Sequence, residues 1–173
     1  MALIQVTICW LLVGVFAIAA HHKVTQRARF AAVLQAYELT PPAAAGAIAT
    51  LIAAAEIATI GGLIFQPAIG LILAASLLAI YATAMAINLA RGRSEIDCGC
   101  GDAPTHLSAA LLWRNGVLVG LAVLALTPGT TAPASTATTL AGVALAVIPV
   151  LIYLGAEQLI ANRSLGQRLR TGT

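Results

Sequence analysis

The chain has 173 residues, of which 60% are hydrophobic and 9% charged, and its formal net charge is +3. A soluble globular domain carries about 25% charged residues, so this composition excludes a water-soluble class and predicts an integral membrane protein. The length suits one transmembrane domain over residues 1–173, and the absence of a basic cluster with aromatic platforms gives no indication of nucleic-acid binding.

Five apolar segments are predicted to form an all-α, polytopic membrane helix bundle. The first is uncharged and has about the 20 residues that a bilayer crossing needs. No basic stretch precedes it, so we expect a retained helix and not a signal peptide, with Cys9 as a packing residue inside it. The predicted helices are residues 2–20, 43–65, 68–90, 105–126 and 140–160.

The loop after the first segment is rich in basic residues. His21 and His22 are neighbours without a third ligand at suitable spacing, which favours a solvated surface over a metal site. Part of the loop is predicted to form an amphipathic helix at the membrane interface, because apolar residues recur there at helical spacing. These residues are Phe30, Val33, Leu34 and Tyr37.

Two ionisable residues fall inside predicted membrane helices. Glu56 lies near the middle of the second segment, where a charge is costly unless it faces protein or water. It is therefore either a functional group or a protonated acid satisfied by a neighbouring helix. Counted at helical rise, Glu56 and Arg114 lie at similar depths of roughly 13–20 Å, so a Glu56–Arg114 pair is one expectation. The other is that Arg114 extends toward the loop before its helix.

That loop contains Cys98-Gly99-Cys100 between two apolar runs. A disulfide within this motif would close a small, strained ring, and Gly99 tolerates the backbone dihedrals that such a ring needs. Strained, exposed disulfides are typically labile and catalytic. The motif therefore predicts a redox-active dithiol at the edge of the bilayer.

The charges around the motif act in both directions. Arg91, Arg93 and Arg114, together with the positive end of the fourth helix, favour the thiolate that performs thiol–disulfide exchange. Asp97 and Asp102 oppose them.

Two other interpretations of the cysteines stay open. They could be half of a zinc or iron–sulfur site with His106 as a third ligand, although such sites usually use four ligands and wider spacing. They could also be inert. Cys9 is not expected to be their redox partner, because it lies roughly 17 Å along its helix from them, whereas a disulfide tolerates a Cα separation of about 7 Å.

Taken together, these motifs resemble the MauE (methylamine utilisation) branch of the DoxX-like redox-associated membrane proteins, which are similar in architecture to the vitamin K epoxide reductase bundle. The resemblance covers about residues 1–126 and implies a four-helix core. The fifth, C-terminal helix is expected from its apolar sequence alone. The chain departs from the family directly after Cys100, where an aromatic residue and a glycine are usual and Gly101-Asp102 stand here. The first loop also lacks the second cysteine pair of the epoxide reductases. The matching residues are Lys23, Glu56, Arg91-Gly92, Cys98-Gly99-Cys100-Gly101 and Arg114-Asn115.

The resemblance implies a membrane thiol–disulfide factor whose catalytic residues are Cys98 and Cys100. MauE proteins are implicated in maturation of the disulfide-rich small subunit of methylamine dehydrogenase, beside a thioredoxin-like partner. The expected partners are therefore membrane lipid, a thioredoxin-like protein and a secreted client, with a quinone as the candidate cofactor and no metal. The alternatives are a non-catalytic membrane assembly or transport component, or a DoxX-like quinone-linked oxidoreductase subunit.

The expected location is the inner (cytoplasmic) membrane, but two arguments disagree on orientation. Five crossings place the dithiol loop and nearly every Lys and Arg on one face, which the positive-inside rule assigns to the cytoplasm. The family resemblance implies that the dithiol faces outward, where secreted clients form disulfides. The sequence leaves both possibilities open.

Overall fold

The computed structural model describes residues 2–99, 106–127 and 135–171, except the side chains of residues 161 and 163–171. Six α-helices make up most of this part of the chain, which confirms the predicted all-α fold. They are α1 Ala2–Thr25, α2 Arg27–Tyr37, α3 Ala45–Phe65, α4 Pro67–Ala90, α5 Ala109–Ala125 and α6 Thr136–Thr171. A single 3₁₀ turn, Pro42–Ala44, leads into α3.

The first helix continues five residues past its predicted end. Residues 21–25 contain neither glycine nor proline, and His22 and Lys23 in the last turn complement the negative end of the helix dipole. Lys23 is consequently part of α1 and is 4% exposed. The sequence had placed it in a solvated loop, so this is the boundary difference with the largest effect on the site.

The last two helices also differ from their predicted bounds. α5 begins at Ala109 and not near residue 105, because Ser108 is still in extended conformation. α6 runs to Thr171 and not to about residue 160, because the polar sequence after Ile160 contains no proline that would end it.

α1 lies at the centre of the bundle. It packs against α3, α5 and α6, while α4 packs against both α3 and α5. Helices α1, α3, α4 and α5 thus form a closed four-helix core, and α6 lies against the outside of α1, as the predicted fifth helix should. The core is filled mainly by aliphatic and aromatic residues, among them Leu12, Phe16, Leu71, Ala74 and Ala122.

Four helical stretches are long and apolar enough to cross a membrane: Ala2–Thr25, Pro42–Phe65, Pro67–Ala90 and Thr136–Ile160. α5 is apolar but has 17 residues, about 26 Å at helical rise. Large apolar side chains are exposed on the spanning helices, including Leu51 at 69% and Ile152 at 67%. Such surfaces are stable in lipid but not in water, so the chain is a multi-pass membrane protein.

Successive helices of the core alternate in direction. The end of α1, all of α2, the start of α3, the end of α4 and the start of α5 therefore meet at one end of the bundle, which we call the dithiol end. α2 packs across α3 and α1 there. This arrangement places α2 against the loop that carries the cysteines.

Candidate functional site: a dithiol loop beside a buried ion pair

The cysteine loop starts after α4 ends at Ala90. Gly92, two residues later, has a φ of +73°, a left-handed conformation suited to glycine. The two sides of the loop meet again at an antiparallel bridge between Asp97 and His106. The Leu107 N–H donates to the Ile96 carbonyl at 3.1 Å. The bridge closes the base of the loop and holds Cys98 at a defined position.

Cys98 lies inside the dithiol end and is 9% exposed. It packs with apolar side chains from α2, α4, α5 and the loop, namely Tyr37, Met85, Leu107 and Leu111. The sequence predicted a cysteine at the exposed mouth of the bundle, and this is corrected because α2 packs over the loop. Cys100 and Gly101, the other predicted residues of the motif, lie outside the described residues.

Gly99 has a conformation that its neighbours make specific for glycine. Its φ is +71°, and an added Cβ would lie 3.0 Å from Val33 Cγ1 and 3.2 Å from Phe30 Cε2. The Gly99 N–H donates to Asp97 Oδ1 at 3.2 Å. Both backbone geometry and lack of space therefore favour glycine between the cysteines.

Among the described residues, two ion pairs connect the ends of α2 to the loop. Arg29 Nη2 lies 2.9 Å from Asp97 Oδ2, and Arg93 Nη2 lies 2.8 Å from Glu38 Oε1. No sequence motif marks Arg29, and only the folding of α2 onto the loop identifies its role. Arg91, which was predicted to favour the thiolate, is exposed at the end of α4.

The buried acid of α3 has a different partner from the one expected. Lys23 Nζ donates to Glu56 Oε1 at 2.7 Å, and the two side chains are 3% and 0% exposed. The Tyr81 hydroxyl donates to the same oxygen at 2.8 Å. The expected Glu56–Arg114 pair is therefore wrong. α1 reaches Thr25 and brings Lys23 into the interior, about 16 Å along α3 from its start.

Arg114 instead forms an ion pair and hydrogen bond with Glu157 of α6. Its guanidinium also lies over the Tyr153 ring, 5.5 Å from the centroid, and Tyr153 donates to Glu157 Oε1 at 3.0 Å. Because α5 starts at Ala109, Arg114 is about four residues closer to the dithiol end than predicted. This polar cluster joins α6 to the four-helix core.

The remaining predicted residues are buried in the helices. Asn115 is 2% exposed on α5, and its Nδ2 has no hydrogen-bond partner among the described residues. Cys9 is 6% exposed within the core of α1. Across the described ranges 2–99, 106–127 and 135–171, no group of three or more His, Cys, Asp and Glu residues is arranged to hold a metal ion.

Comparison with known proteins identifies relatives over nearly the whole chain. The family described as methylamine utilisation protein MauE matches residues 1–128. The chain is similar to MauE of Paracoccus denitrificans, at 35% identity over 91% of this chain and 89% of the relative. It is also similar to MauE of Paracoccus versutus, at 34% identity over 86% of this chain and 82% of the relative. The chain is also similar to MauE of Methylophilus methylotrophus, at 30% identity over 84% of this chain and 80% of the relative.

No solved structure matches the chain. The family match covers more than half of the chain, and the three relatives extend it into the fifth apolar segment. The chain therefore belongs to the MauE family of methylamine utilisation proteins.

Proposed function

We propose that this multi-pass membrane protein serves methylamine utilisation as a thiol–disulfide redox factor, with Cys98 and Cys100 as the reacting pair. The observation that carries the proposal is the position of Cys98 beside Gly99 in a loop that is closed by the 97–106 bridge. A loop fixed in this way holds one sulfur in place while the left-handed glycine turns the chain back, a geometry that helps neighbouring cysteines meet.

The setting of Cys98 suits gated exchange with a partner protein. Thiol–disulfide exchange needs direct attack of one sulfur on another, so a buried cysteine must become accessible first. α2 covers Cys98 and is held to the loop by charged pairs that are partly exposed. Such pairs are weak, with about 0–1 kcal/mol each. Docking of a thioredoxin-like partner, followed by displacement of α2, would expose the sulfur of Cys98. The client would be a secreted protein whose disulfides have to be formed correctly.

Thiol trapping with mass spectrometry tests the reaction. Full-length protein in native membranes is equilibrated with reduced or oxidised glutathione, quenched with acid and alkylated. We expect a Cys98–Cys100 disulfide, or a mixed disulfide at either residue, under oxidising conditions. A Cys9→Ala variant is the matched control, because Cys9 lies in the core of α1, and should behave as the parent does. Absence of both disulfide species under all conditions would overturn the proposal.

The compartment of the loop is tested with two introduced cysteines in a protein that lacks the native three. Ser94→Cys lies at the dithiol end and Gln66→Cys at the opposite end, and both positions are exposed. A role on secreted clients requires labelling of Ser94→Cys, and protection of Gln66→Cys, by a membrane-impermeant maleimide in intact cells. The reverse pattern would agree with the positive-inside rule and exclude a secreted client.

A further inference from the structure

A cavity of about 250 Å³ lies at the dithiol end between α2, α3 and α4. Most of its wall is aliphatic or aromatic, with Leu34, Ile48, Ile52 and Met85 as representative residues, and Cys98 and Gly99 also line it. The candidate redox cysteine therefore lines an apolar chamber whose wall, hydrophobic with a few polar groups, is typical of small-molecule sites.

The cavity opens toward the membrane. Ile80 lines it and is 59% exposed on α4, a helix long and apolar enough to cross a membrane. Leu39, which follows α2, lines it as well and is 39% exposed. An apolar side chain that borders both the cavity and the outer surface of a spanning helix faces hydrocarbon, so the cavity is accessible to a molecule dissolved in the bilayer.

Two polar groups in the wall have unused hydrogen-bonding capacity. The Lys23 ammonium has three N–H donors, and its one oxygen acceptor among the described residues is Glu56 Oε1. The rings of Phe30 and Tyr81 lie 5.1 Å and 5.3 Å from its nitrogen. Thr40 Oγ1 is buried and has no hydrogen-bond partner in the described part of the chain. Buried donors of this kind are costly when left unpaired, so an occupant with oxygen acceptors would stabilise the site.

The charges at the cavity determine which kind of oxygen acceptor its occupant should carry. Lys23 and Glu56 neutralise each other, so the cavity has no net positive charge to attract a carboxylate or phosphate. An uncharged carbonyl oxygen can accept a hydrogen bond from Lys23 without bringing a second negative charge near Glu56. The favoured occupant is thus neutral, lipid-soluble and carbonyl-bearing, and it lies beside a candidate redox thiol.

We propose that this cavity binds the headgroup of a membrane quinone, with Lys23 Nζ and Thr40 Oγ1 donating hydrogen bonds to its carbonyl oxygens. When bound, a quinone supplies an acceptor for two electrons and two protons from two thiols, which leaves a disulfide and a quinol. This redox role depends on the function proposed above, whereas binding does not. Lys23 orients the headgroup, Glu56 and Tyr81 hold Lys23 in place, and the apolar wall excludes water.

Binding is measured on full-length protein in lipid nanodiscs by photo-crosslinking of an azido-substituted ubiquinone analogue, with peptide mapping by mass spectrometry. Decylubiquinone should compete for labelling, whereas decylbenzene, which lacks carbonyl groups, should not. Effective competition by palmitate, or equal competition by decylbenzene, would show a general lipid groove and overturn the proposal.

Paired variants locate the site. Ala84 lines the cavity and Ala86 is exposed on the same helix, so Ala84→Phe should abolish labelling and Ala86→Phe should preserve it. Thr40→Val should raise the dissociation constant of the quinone by about 2- to 12-fold, which corresponds to the loss of one neutral hydrogen bond. It should leave folding intact because the hydroxyl has no described protein partner. Parental affinity in Thr40→Val and parental labelling in a folded Ala84→Phe would each count against the proposal.

The quinone site and the thiol–disulfide function can be refuted independently of each other. Quinone binding is also measured in Cys98→Ala/Cys100→Ala protein, which cannot perform exchange. Specific labelling of that variant supports the binding site even if thiol trapping detects no disulfide in the parent. Loss of specific labelling from the parent refutes the quinone site alone, even where the disulfide forms.

Discussion

The ion pair between Lys23 and Glu56 gives the most direct quantitative test of the site. The pair is 2.7 Å long with side chains 3% and 0% exposed, so replacing either residue leaves a buried charge without its partner. Such single replacements typically cost about 3–5 kcal/mol. Lys23→Met and Glu56→Leu should each destabilise the protein by this amount, and the Glu56 replacement also deprives the Tyr81 hydroxyl of its acceptor.

The double variant should behave differently from the sum of the two changes. Replacing both members of a buried pair by apolar residues is often neutral or stabilising, so Lys23→Met/Glu56→Leu should have a stability close to that of the parent. The expected coupling energy is therefore at least about 3 kcal/mol. The parent, the two single variants and the double variant form a double-mutant cycle. The free energy of unfolding of each is measured by reversible unfolding in mixed micelles with increasing SDS, followed by circular dichroism.

A matched control separates the pair from a general effect of charge removal. Arg27→Met removes a neighbouring cation that is exposed and donates to Thr50 Oγ1 at 2.6 Å. The free energy of unfolding should change by no more than about 0.5 kcal/mol. Additive effects of Lys23→Met and Glu56→Leu would refute the claim that the two charges stabilise each other.

Two further predictions concern access to the cysteine and attachment of the last helix. Arg29→Ala removes an ion pair that holds α2 to the loop, so alkylation of reduced Cys98 should become faster. A loss of about 1 kcal/mol corresponds to an increase of up to about 5-fold in the rate, which time-resolved alkylation with acid quenching measures. An unchanged rate would show that α2 does not limit access. Gly142→Val should destabilise the protein by about 1–3 kcal/mol in SDS unfolding, because an added Cβ would lie 2.4 Å from Val6 Cγ1. Gly155→Val, where the same position has no neighbour within 4 Å, is the control, and equal losses from both variants would contradict the α1–α6 contact.

The apolar segments and the cysteine loop could be predicted from the sequence because both depend on local composition. Uncharged runs of about 20 residues have few alternatives to membrane helices. For Glu56 the sequence left two interpretations open, a functional group or a protonated acid satisfied by a neighbouring helix, with Arg114 as one expected partner. What failed was the identity of that partner.

The ion-pair partners could not be predicted because they depend on where each helix ends and on how each helix is rotated about its axis. Five extra residues of α1 move Lys23 from a surface loop to the interior, and a later start of α5 moves Arg114 toward Glu157. No local signal marks either shift strongly, since residues 21–25 and 105–108 tolerate helix and loop alike. The covering of Cys98 by α2 is likewise a tertiary contact, and periodicity predicted the helix but not the surface on which it lies.

The left-handed glycine of the cysteine motif would restrict how the proposed redox centre can diversify. In Cys-Xaa-Xaa-Cys proteins the cysteine pKa ranges from about 3.5 to 7, and the intervening side chains are one place where sequence can vary. Here the single intervening residue is limited by its φ of +71° and by Phe30 and Val33 above it. Adjustment of sulfur reactivity in this loop would therefore have to come from groups around the glycine, among them the Arg29–Asp97 ion pair.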